Sequence, residues 1–164
     1  MAIASSARIH PTAVIGPEVE LGENVQIGPF VVLEGPVEVG ADTVLMAGAH
    51  IIGPVTLGVG NTVHSYTVIG GDPQHLRSKG EGASVIIGDY NVFREHVTIH
   101  RAATAGGATR IGNHNYLMAA SHVAHDCVMG NHCIFANASV LGGHCVVADN
   151  VCMSGHSAIH QFCR

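Results

Sequence analysis

The sequence predicts an all-β fold, a single parallel β-helix in which one chain winds repeatedly through three flat faces. Three observations predict it: an aliphatic residue recurs every six positions, large rings and charges are scarce, and glycine is frequent. Hydrophobic residues make up 47% of the 164 residues, charged residues 12% and aromatic residues 4%. Since about 25% charge is usual for a globular domain, a narrow, repetitive core is favoured over a core built around aromatic rings.

The six-residue period is the main structural signal. A helix would need a period of 3.6 and a simple strand a period of 2, so six indicates a short strand followed by a corner. Three strands then make one triangular coil of about 18 residues, and coils stack at about 4.8 Å. The period is carried by 23 apolar residues: Ile9, Ile15, Leu21, Ile27, Leu33, Val39, Leu45, Ile51, Leu57, Val63, Ile69, Ile87, Phe93, Ile99, Ile111, Leu117, Val123, Met129, Phe135, Leu141, Val147, Met153 and Ile159.

A second inward position lies two residues before the aliphatic one and is often small or β-branched. Cys127, Cys133 and Cys145 occupy it, which predicts buried structural thiols, because free cysteine packs as a small hydrophobe. The five cysteines are odd in number and contain no C-x-x-C pair. A disulfide scaffold is therefore not expected, and a reducing cytoplasm is the predicted location.

The period breaks over 70–84 and again over 100–110. We predict one β-helix domain over 1–164 that expels these two segments as loops, where function often resides. Arg77, Lys79, Arg94, Arg101 and Arg110 fall in or near the breaks, either as solvated charges or as a patch for an anionic ligand. A net charge of −5 argues against nucleic-acid binding. The sequence contains no apolar run of about 18 residues, so a membrane-spanning segment is not predicted.

Seven short motifs add specificity to the hexad register. They are IHPTA at 9–13, IGPF at 27–30, PQHLR at 73–77, REHVTIHR at 94–101, HVAHDCVMGN at 122–131, GGH at 142–144 and HQFC at 160–163. Together they resemble the UDP-N-acetylglucosamine acyltransferases, a hexapeptide-repeat family with the pattern [LIV]-[GAED]-x-x-[STAV]-x. The resemblance covers nearly the whole chain.

The resemblance implies a fold, a reaction and an assembly. The fold is a left-handed parallel β-helix shaped as a triangular prism, here truncated before the family's C-terminal helical domain. The reaction transfers a 3-hydroxyacyl group from acyl carrier protein to the 3-hydroxyl of UDP-N-acetylglucosamine, the first step of lipid A biosynthesis. The assembly is a homotrimer with active sites between subunits. No cofactor or metal is implied beyond the carrier-protein thioester, which acts as co-substrate.

The resemblance also implies residue roles. His125 matches the catalytic base, Asp126 would orient its imidazole, and the Gly143 N–H would stabilise the oxyanion. Positions lining the substrate cleft between subunits are matched by His100, His122, His144, His160 and Gln161. Where the family typically has Asp and then Lys, this chain has His75 and Arg77. Arg77 can still hold a phosphate or carboxylate, whereas His75 departs from the pattern and leaves an amino-substituted acceptor sugar open.

Spacing supports part of this assignment independently. Residues 18 apart lie one above another on successive coils, so His125 is predicted under Gly143 and Asp126 under His144. A base and a backbone donor one coil apart can share a reacting centre. Histidine titrates near pH 6.5, which suits a general base at neutral pH.

Other interpretations stay open at the level of the sequence. The chain ends within a repeat, which favours a catalytically impaired or non-catalytic trimeric scaffold as the main alternative. Another hexapeptide acyltransferase or acetyltransferase is a second. A zinc site of the γ-type carbonic anhydrase kind would need three histidine ligands, and that ligand pattern is not evident. The family's acyl-length determinant lies beyond Arg164, so acyl length is not predicted.

Overall fold

The computed structural model describes residues 2–78 and 81–164. Within these ranges the chain forms 24 strands of two to four residues and no helix. The strands belong to three eight-stranded sheets in which every pairing is parallel. Each coil gives one strand to each sheet, so the predicted three-faced parallel β-helix is confirmed.

Strands are numbered in chain order and grouped by sheet. Sheet A contains β1 (Ala2–Ile3), β4 (Val19–Leu21), β7 (Val37–Val39), β10 (Val55–Leu57), β13 (Ser84–Ile87), β16 (Ala108–Ile111), β19 (Val128–Met129) and β22 (Val146–Val147). Sheet B contains β2 (Arg8–Ile9), β5 (Gln26–Ile27), β8 (Val44–Leu45), β11 (Thr62–Val63), β14 (Val92–Phe93), β17 (Tyr116–Leu117), β20 (Ile134–Phe135) and β23 (Cys152–Met153). Sheet C contains β3 (Val14–Ile15), β6 (Val32–Glu34), β9 (His50–Ile52), β12 (Val68–Gly71), β15 (Thr98–His100), β18 (His122–Val123), β21 (Val140–Leu141) and β24 (Ala158–Ile159).

Two long connections interrupt an otherwise constant register. Paired residues are usually 18 apart, but they are 30 apart between β10 and β13 and 24 apart between β13 and β16. Segments 72–83 and 101–107 therefore lengthen their coils by multiples of six residues, so the periodic residues of the following strands still face inward. Both are shorter than the predicted breaks 70–84 and 100–110, because strand pairing continues through Gly71, Ser84, His100 and Ala108. Lys79, predicted near the first break, lies outside the described residues.

The core follows the hexad. Every one of the 23 periodic residues is buried except Ile9, Ile15 and Ile159. These three belong to the first and last coils, which have a stacked neighbour on one side only. The three cysteines of the second inward position are fully buried, and all five thiols are free.

One internal corner carries a ladder of buried amides that the periodicity did not predict. Asn61, Asn91 and Asn115 stack on successive coils. The Asn61 Oδ1 accepts from the backbone N–H and the Nδ2 of Asn91 at 2.9 and 3.0 Å, and the Asn91 Oδ1 accepts from Asn115 in the same way. The ladder satisfies polar groups inside the prism, where an unpaired amide is costly.

The arginines near the two long connections lie on three different sheets. Arg110 is in sheet A, Arg94 follows a strand of sheet B, and Arg101 follows a strand of sheet C. Arg94 pairs with Glu95, and Arg101 pairs with Asp72. Arg94 and Arg101 are thus partly neutralised by carboxylates, and the patch for an anionic ligand stays a prediction. No helix among the residues that the structure describes is long and apolar enough to cross a membrane.

Candidate active site

A cleft of about 550 Å³ runs beside the last three strands of sheet C and the corners that follow them. Its lining comprises Gln74, His122, Ala124, His125, Val140, Leu141, Gly142, Gly143, Ala158, Ile159, His160 and Gln161. A depression of the same size near the N-terminal coils has only Arg8 and His10 as ionisable lining residues. Three histidines, His122, His125 and His160, thus line the cleft, whereas one lines the depression.

A histidine and a carboxylate form a hydrogen-bonded dyad at one wall of the cleft. The His125 Nδ1 lies 2.8 Å from the Asp126 Oδ2. Since a carboxylate only accepts, the proton of the imidazole is assigned to Nδ1, which leaves Nε2 with a free lone pair. His125 is only 6% exposed. The arrangement is that of a general base held by an acid.

The second long connection fixes the carboxylate. The backbone N–H of Ala103 donates to the Asp126 Oδ2 at 2.8 Å, and that of Thr104 donates to Oδ1 at 3.3 Å. Burial acts to raise the pKa of Asp126. Hydrogen bonds from Thr104, His125 and the Ala103 N–H outweigh it and hold the pKa below its ordinary value. The group therefore stays anionic beside the imidazole at neutral pH.

Gly143 lies directly over the His125 ring, as the 18-residue spacing predicts. A Cβ built on Gly143 would lie 2.6 Å from the His125 Cε1 and 2.7 Å from Nε2. The backbone N–H of His144 donates to the His125 carbonyl at 3.0 Å, and the His144 Nε2 lies 3.8 Å from the Asp126 Oδ2. Only glycine gives the imidazole this approach to the backbone.

The Gly143 N–H makes no hydrogen bond with any described residue. At the equivalent place on another corner, four backbone N–H groups are each capped by a side chain of the next coil, those of Val59, Asp89, Asn113 and Asn131. Asn131 accepts from the Asn113 N–H at 2.8 Å, and Asp149 accepts from the Asn131 N–H at 2.7 Å. Gly143 would need such a cap from Gln161, which does not provide one. Its N–H is left available to a ligand.

Two further histidines lie beneath the dyad. The His122 Nδ1 is 2.7 Å from the Thr98 hydroxyl, and the His100 ring meets the His122 ring edge-on, with centroids 4.8 Å apart. Burial, reinforced by His100, lowers the pKa of His122 to about 4. Burial also lowers the pKa of His100, whose Nδ1 is buried without a partner. Both imidazoles are therefore neutral at physiological pH.

The remaining predicted site residues are distributed unevenly. His160 and Gln161 line the cleft, and His144 stacks on Phe162 at its edge. The exposed His75 reaches the His125 ring edge-on, with centroids 5.3 Å apart. The exposed Arg77 does not line the cleft, and its backbone N–H donates to the His75 Nδ1 at 3.3 Å.

Several contributors were missed by sequence reasoning. Gln74 enters the cleft lining from the first long connection, within the PQHLR motif. Thr109, fully buried, accepts the Asp126 N–H at 2.9 Å. The backbone donors of Ala103 and Thr104 carry no side-chain signal, so no sequence pattern would have identified them.

The dyad and His144 also present three atoms that fit around a cation. One ligand atom each from His125, Asp126 and His144 lies within 4.8 Å of the others. However, the Asp126 Oδ2 already accepts hydrogen bonds from His125 and from the Ala103 N–H. A metal would have to break the contact that orients the base, so the geometry favours the dyad.

Comparison with known proteins places this fold in a class. The bacterial transferase hexapeptide family (six repeats) matches residues 2–35 and 108–143. The chain superposes on the UDP-N-acetylglucosamine acyltransferase from Campylobacter jejuni with a TM-score of 0.88 and 36% identity, covering 94% of this chain and 61% of that one. The fold is therefore a left-handed β-helix of hexapeptide repeats, as predicted.

Within that class, the chain corresponds to the N-terminal portion of the UDP-N-acetylglucosamine acyltransferases, and the resemblance predicted from its motifs is confirmed. It is 46% identical over 158 residues to acyl-[acyl-carrier-protein]–UDP-N-acetylglucosamine O-acyltransferase of Halorhodospira halophila, covering 96% of this chain and 61% of that protein. It is 43% identical to the enzyme of Bacteroides fragilis, with a TM-score of 0.85, covering 98% of this chain and 61% of that one. The chain thus spans about three fifths of these relatives.

Proposed function

We propose that this protein is an O-acyltransferase that moves a 3-hydroxyacyl group from acyl carrier protein to the 3-hydroxyl of UDP-N-acetylglucosamine, the first step of lipid A biosynthesis. One observation carries the proposal. The His125–Asp126 dyad lies against Gly143 in one cleft, and the Gly143 N–H has no hydrogen-bond partner among the described residues. The names of the relatives supply the substrate classes, and this geometry supplies groups suited to the reaction.

The chemistry follows from the tautomer of His125. Its Nε2 takes the proton of the sugar hydroxyl while the oxygen attacks the thioester carbonyl. The Gly143 N–H donates to the oxyanion of the tetrahedral intermediate. Collapse breaks the carbon–sulfur bond, and the departing thiolate receives the proton from the imidazolium. Asp126 stabilises that imidazolium and holds the ring in place, so no covalent acyl-enzyme and no metal are needed.

We propose a homotrimer in which a second copy completes the cleft. An apolar side chain in the cleft lining supports this assembly, since Val140 faces outward on sheet C and is 38% exposed. Val128 and Val146 on sheet A and Ile134 on sheet B, each between 41% and 43% exposed, give the other two faces of these coils exposed apolar side chains as well. The five free thiols suit a reducing compartment, which we propose to be the cytoplasm.

Acyl transfer from a panel of 3-hydroxyacyl carrier proteins to UDP-N-acetylglucosamine tests the function directly. His125→Ala should lower kcat by roughly 10² to 10⁴, the range for loss of a general base. His132→Ala is the matched control, because this exposed histidine stacks on His114 away from the cleft. Circular dichroism and light scattering establish that each variant keeps the fold and assembly of the parent.

The outcomes separate the candidate functions. Equal turnover by the parent and His125→Ala would show that another group is the base. No turnover by a folded parent chain would contradict acyl transfer by this chain and favour the scaffold alternative. Transfer to an amino-substituted sugar alone would correct the acceptor and implicate His75.

A further inference from the structure

One buried thiol beneath the cleft has no role in the proposed mechanism. The Cys127 side chain is fully buried, and its Sγ donates to the carbonyl oxygen of Gly142 at 3.1 Å. This is the only hydrogen bond that the carbonyl receives from the described residues. Burial raises the pKa of the thiol to about 12, so it remains a protonated donor throughout the physiological range.

The Gly142 carbonyl matters because it belongs to the peptide group that also carries the Gly143 N–H. The Gly142 carbonyl and the Gly143 N–H belong to the same planar trans peptide, so they point in opposite directions. A bond that holds the carbonyl toward the inside of the prism directs the N–H outward. A donor on the carbonyl oxygen also polarises the N–H of that peptide, as hydrogen bonds in a chain strengthen one another.

We propose that Cys127 is a positioning residue for the oxyanion donor: its thiol fixes the Gly142–Gly143 peptide so that the Gly143 N–H faces the reacting carbonyl. The inference rests on the proposed acyl transfer for its catalytic consequence, but its structural part does not. The flanking groups are held by the backbone, since the Gly142 N–H donates to the Ile159 carbonyl at 2.9 Å and the Gly143 carbonyl accepts from the Phe162 N–H at 3.0 Å. Among the described residues, the Cys127 thiol makes the only hydrogen bond to the Gly142–Gly143 peptide itself.

The same kind of bond occurs at other corners and provides an internal control. The Cys133 Sγ donates to the carbonyl oxygen of Ala148 at 3.1 Å, from the same inward position and with the same full burial. The peptide after Ala148 does not line the cleft. The two thiols therefore share their inward position, their burial and the bond to a carbonyl of the next coil, although the Cys133 Sγ also lies 3.6 Å from the Asn131 carbonyl oxygen. They differ in whether the acceptor peptide reaches the site.

The experiment compares Cys127→Val, Cys127→Ser and Cys133→Val in the full chain. Valine is somewhat larger than cysteine but occupies the same inward position at Val25, Val31 and Val97, and it removes the donor, whereas serine keeps a donor. Cys127→Val should lower kcat about tenfold with KM changed less than about twofold, the effect of misplacing one transition-state donor. Cys127→Ser should stay within about threefold of the parent, and Cys133→Val within about twofold. In ¹⁵N-labelled protein, the Gly143 amide resonance should move in Cys127→Val only.

Each result decides the point. Equal losses in Cys127→Val and Cys127→Ser, or equal losses in Cys127→Val and Cys133→Val, would mean that packing alone matters and would overturn the proposal. A parent chain without turnover would contradict the proposed function, and the Gly143 resonance would then decide alone. A shift in Cys127→Val with recovery in Cys127→Ser supports the positioning role, and an unmoved resonance refutes it.

Discussion

At the scale of single residues, the site depends on backbone positions as much as on reactive side chains. Asp126 has a φ of 58°, in the left-handed region that glycine favours. That conformation is held by its carboxylate, which accepts from the second long connection, and by its N–H, which donates to Thr109. The same conformation recurs at the corresponding corner residues His132, Ala138 and His144, with φ of 56°, 56° and 60°, so it belongs to the β-helix corner, and the hydrogen bonds are what distinguish Asp126. The dyad is therefore preorganised before any substrate binds.

The buried histidines beneath the dyad predict a pH-dependent stability. The pKa of His122 is about 4 in the folded chain against 6.5 for an ordinary histidine. The unfolded chain thus binds more protons between these two pH values. The contribution of His122 to the free energy of unfolding is therefore fully present above pH 6.5 and is lost as the pH falls toward 4. At about 1.4 kcal/mol for each pKa unit, His122 alone accounts for roughly 3 kcal/mol. His100 shifts in the same direction.

Urea unfolding at a series of pH values from 7.5 to 4.5 checks this. The free energy of unfolding should fall steeply in the parent and less steeply in His122→Asn. His132→Asn, an exposed histidine, should follow the parent. Parallel curves for the parent and His122→Asn would show that His122 is not the titrating group.

At the scale of elements, the corners rather than the strands distinguish this chain from a plain repeat. The strands were predictable because a single aliphatic position every six residues decides which face is inward. The amide ladder was not, because the same inward corner position accepts Val25, Thr43, Asn61 and Cys133 alike. Residue size is periodic there and residue type is not, so the hydrogen bonding appears only once the coils are stacked.

The ladder predicts an unusually costly polar substitution. Asn91→Ala would leave the Asn61 Oδ1 with the backbone N–H of residue 91 alone. It would also leave the Gly112 carbonyl without its Asn91 donor and remove the acceptor of both Asn115 donors, all in a buried column. Because each unsatisfied buried group costs about 1–3 kcal/mol, we expect a loss of at least about 3 kcal/mol. Urea unfolding at fixed protein concentration measures it.

The exposed outer ladder supplies the control for this substitution. Asn131→Ala removes comparable bonds to Asn113 and Asp149, where water can replace them, and should cost about 1 kcal/mol or less. Equal losses in Asn91→Ala and Asn131→Ala would indicate that burial of the ladder contributes nothing beyond its hydrogen bonds.

At the scale of the whole molecule, repetition explains how much the sequence could reveal. The vertical stacking of His125 under Gly143 was predictable because the register is unbroken from Ile111 to Ile159. The contact of Ala103 and Thr104 with Asp126 was not, since it depends on the path of an expelled connection. The same holds for His75 beside His125. Repeats thus fix the platform of the site, and the connections complete it in ways that spacing does not encode.

A β-helix is close to one-dimensional, because each coil contacts only the coil above and the coil below. The same large-to-small substitution should therefore cost different amounts at the middle and at the end of the stack.

Leu117 is fully buried in β17 between two neighbouring strands, whereas Ile9 in β2 has one paired strand and is 37% exposed. Leu117→Ala should cost about 3 kcal/mol, the cost of opening a cavity in a packed core. Ile9→Ala should cost less than about 1 kcal/mol, because solvent already reaches the site. Urea unfolding at one fixed protein concentration, which holds any assembly equilibrium constant, measures both. Equal costs would mean that the end coil is as well covered as the middle one, so that another copy or another segment of chain packs over it in solution.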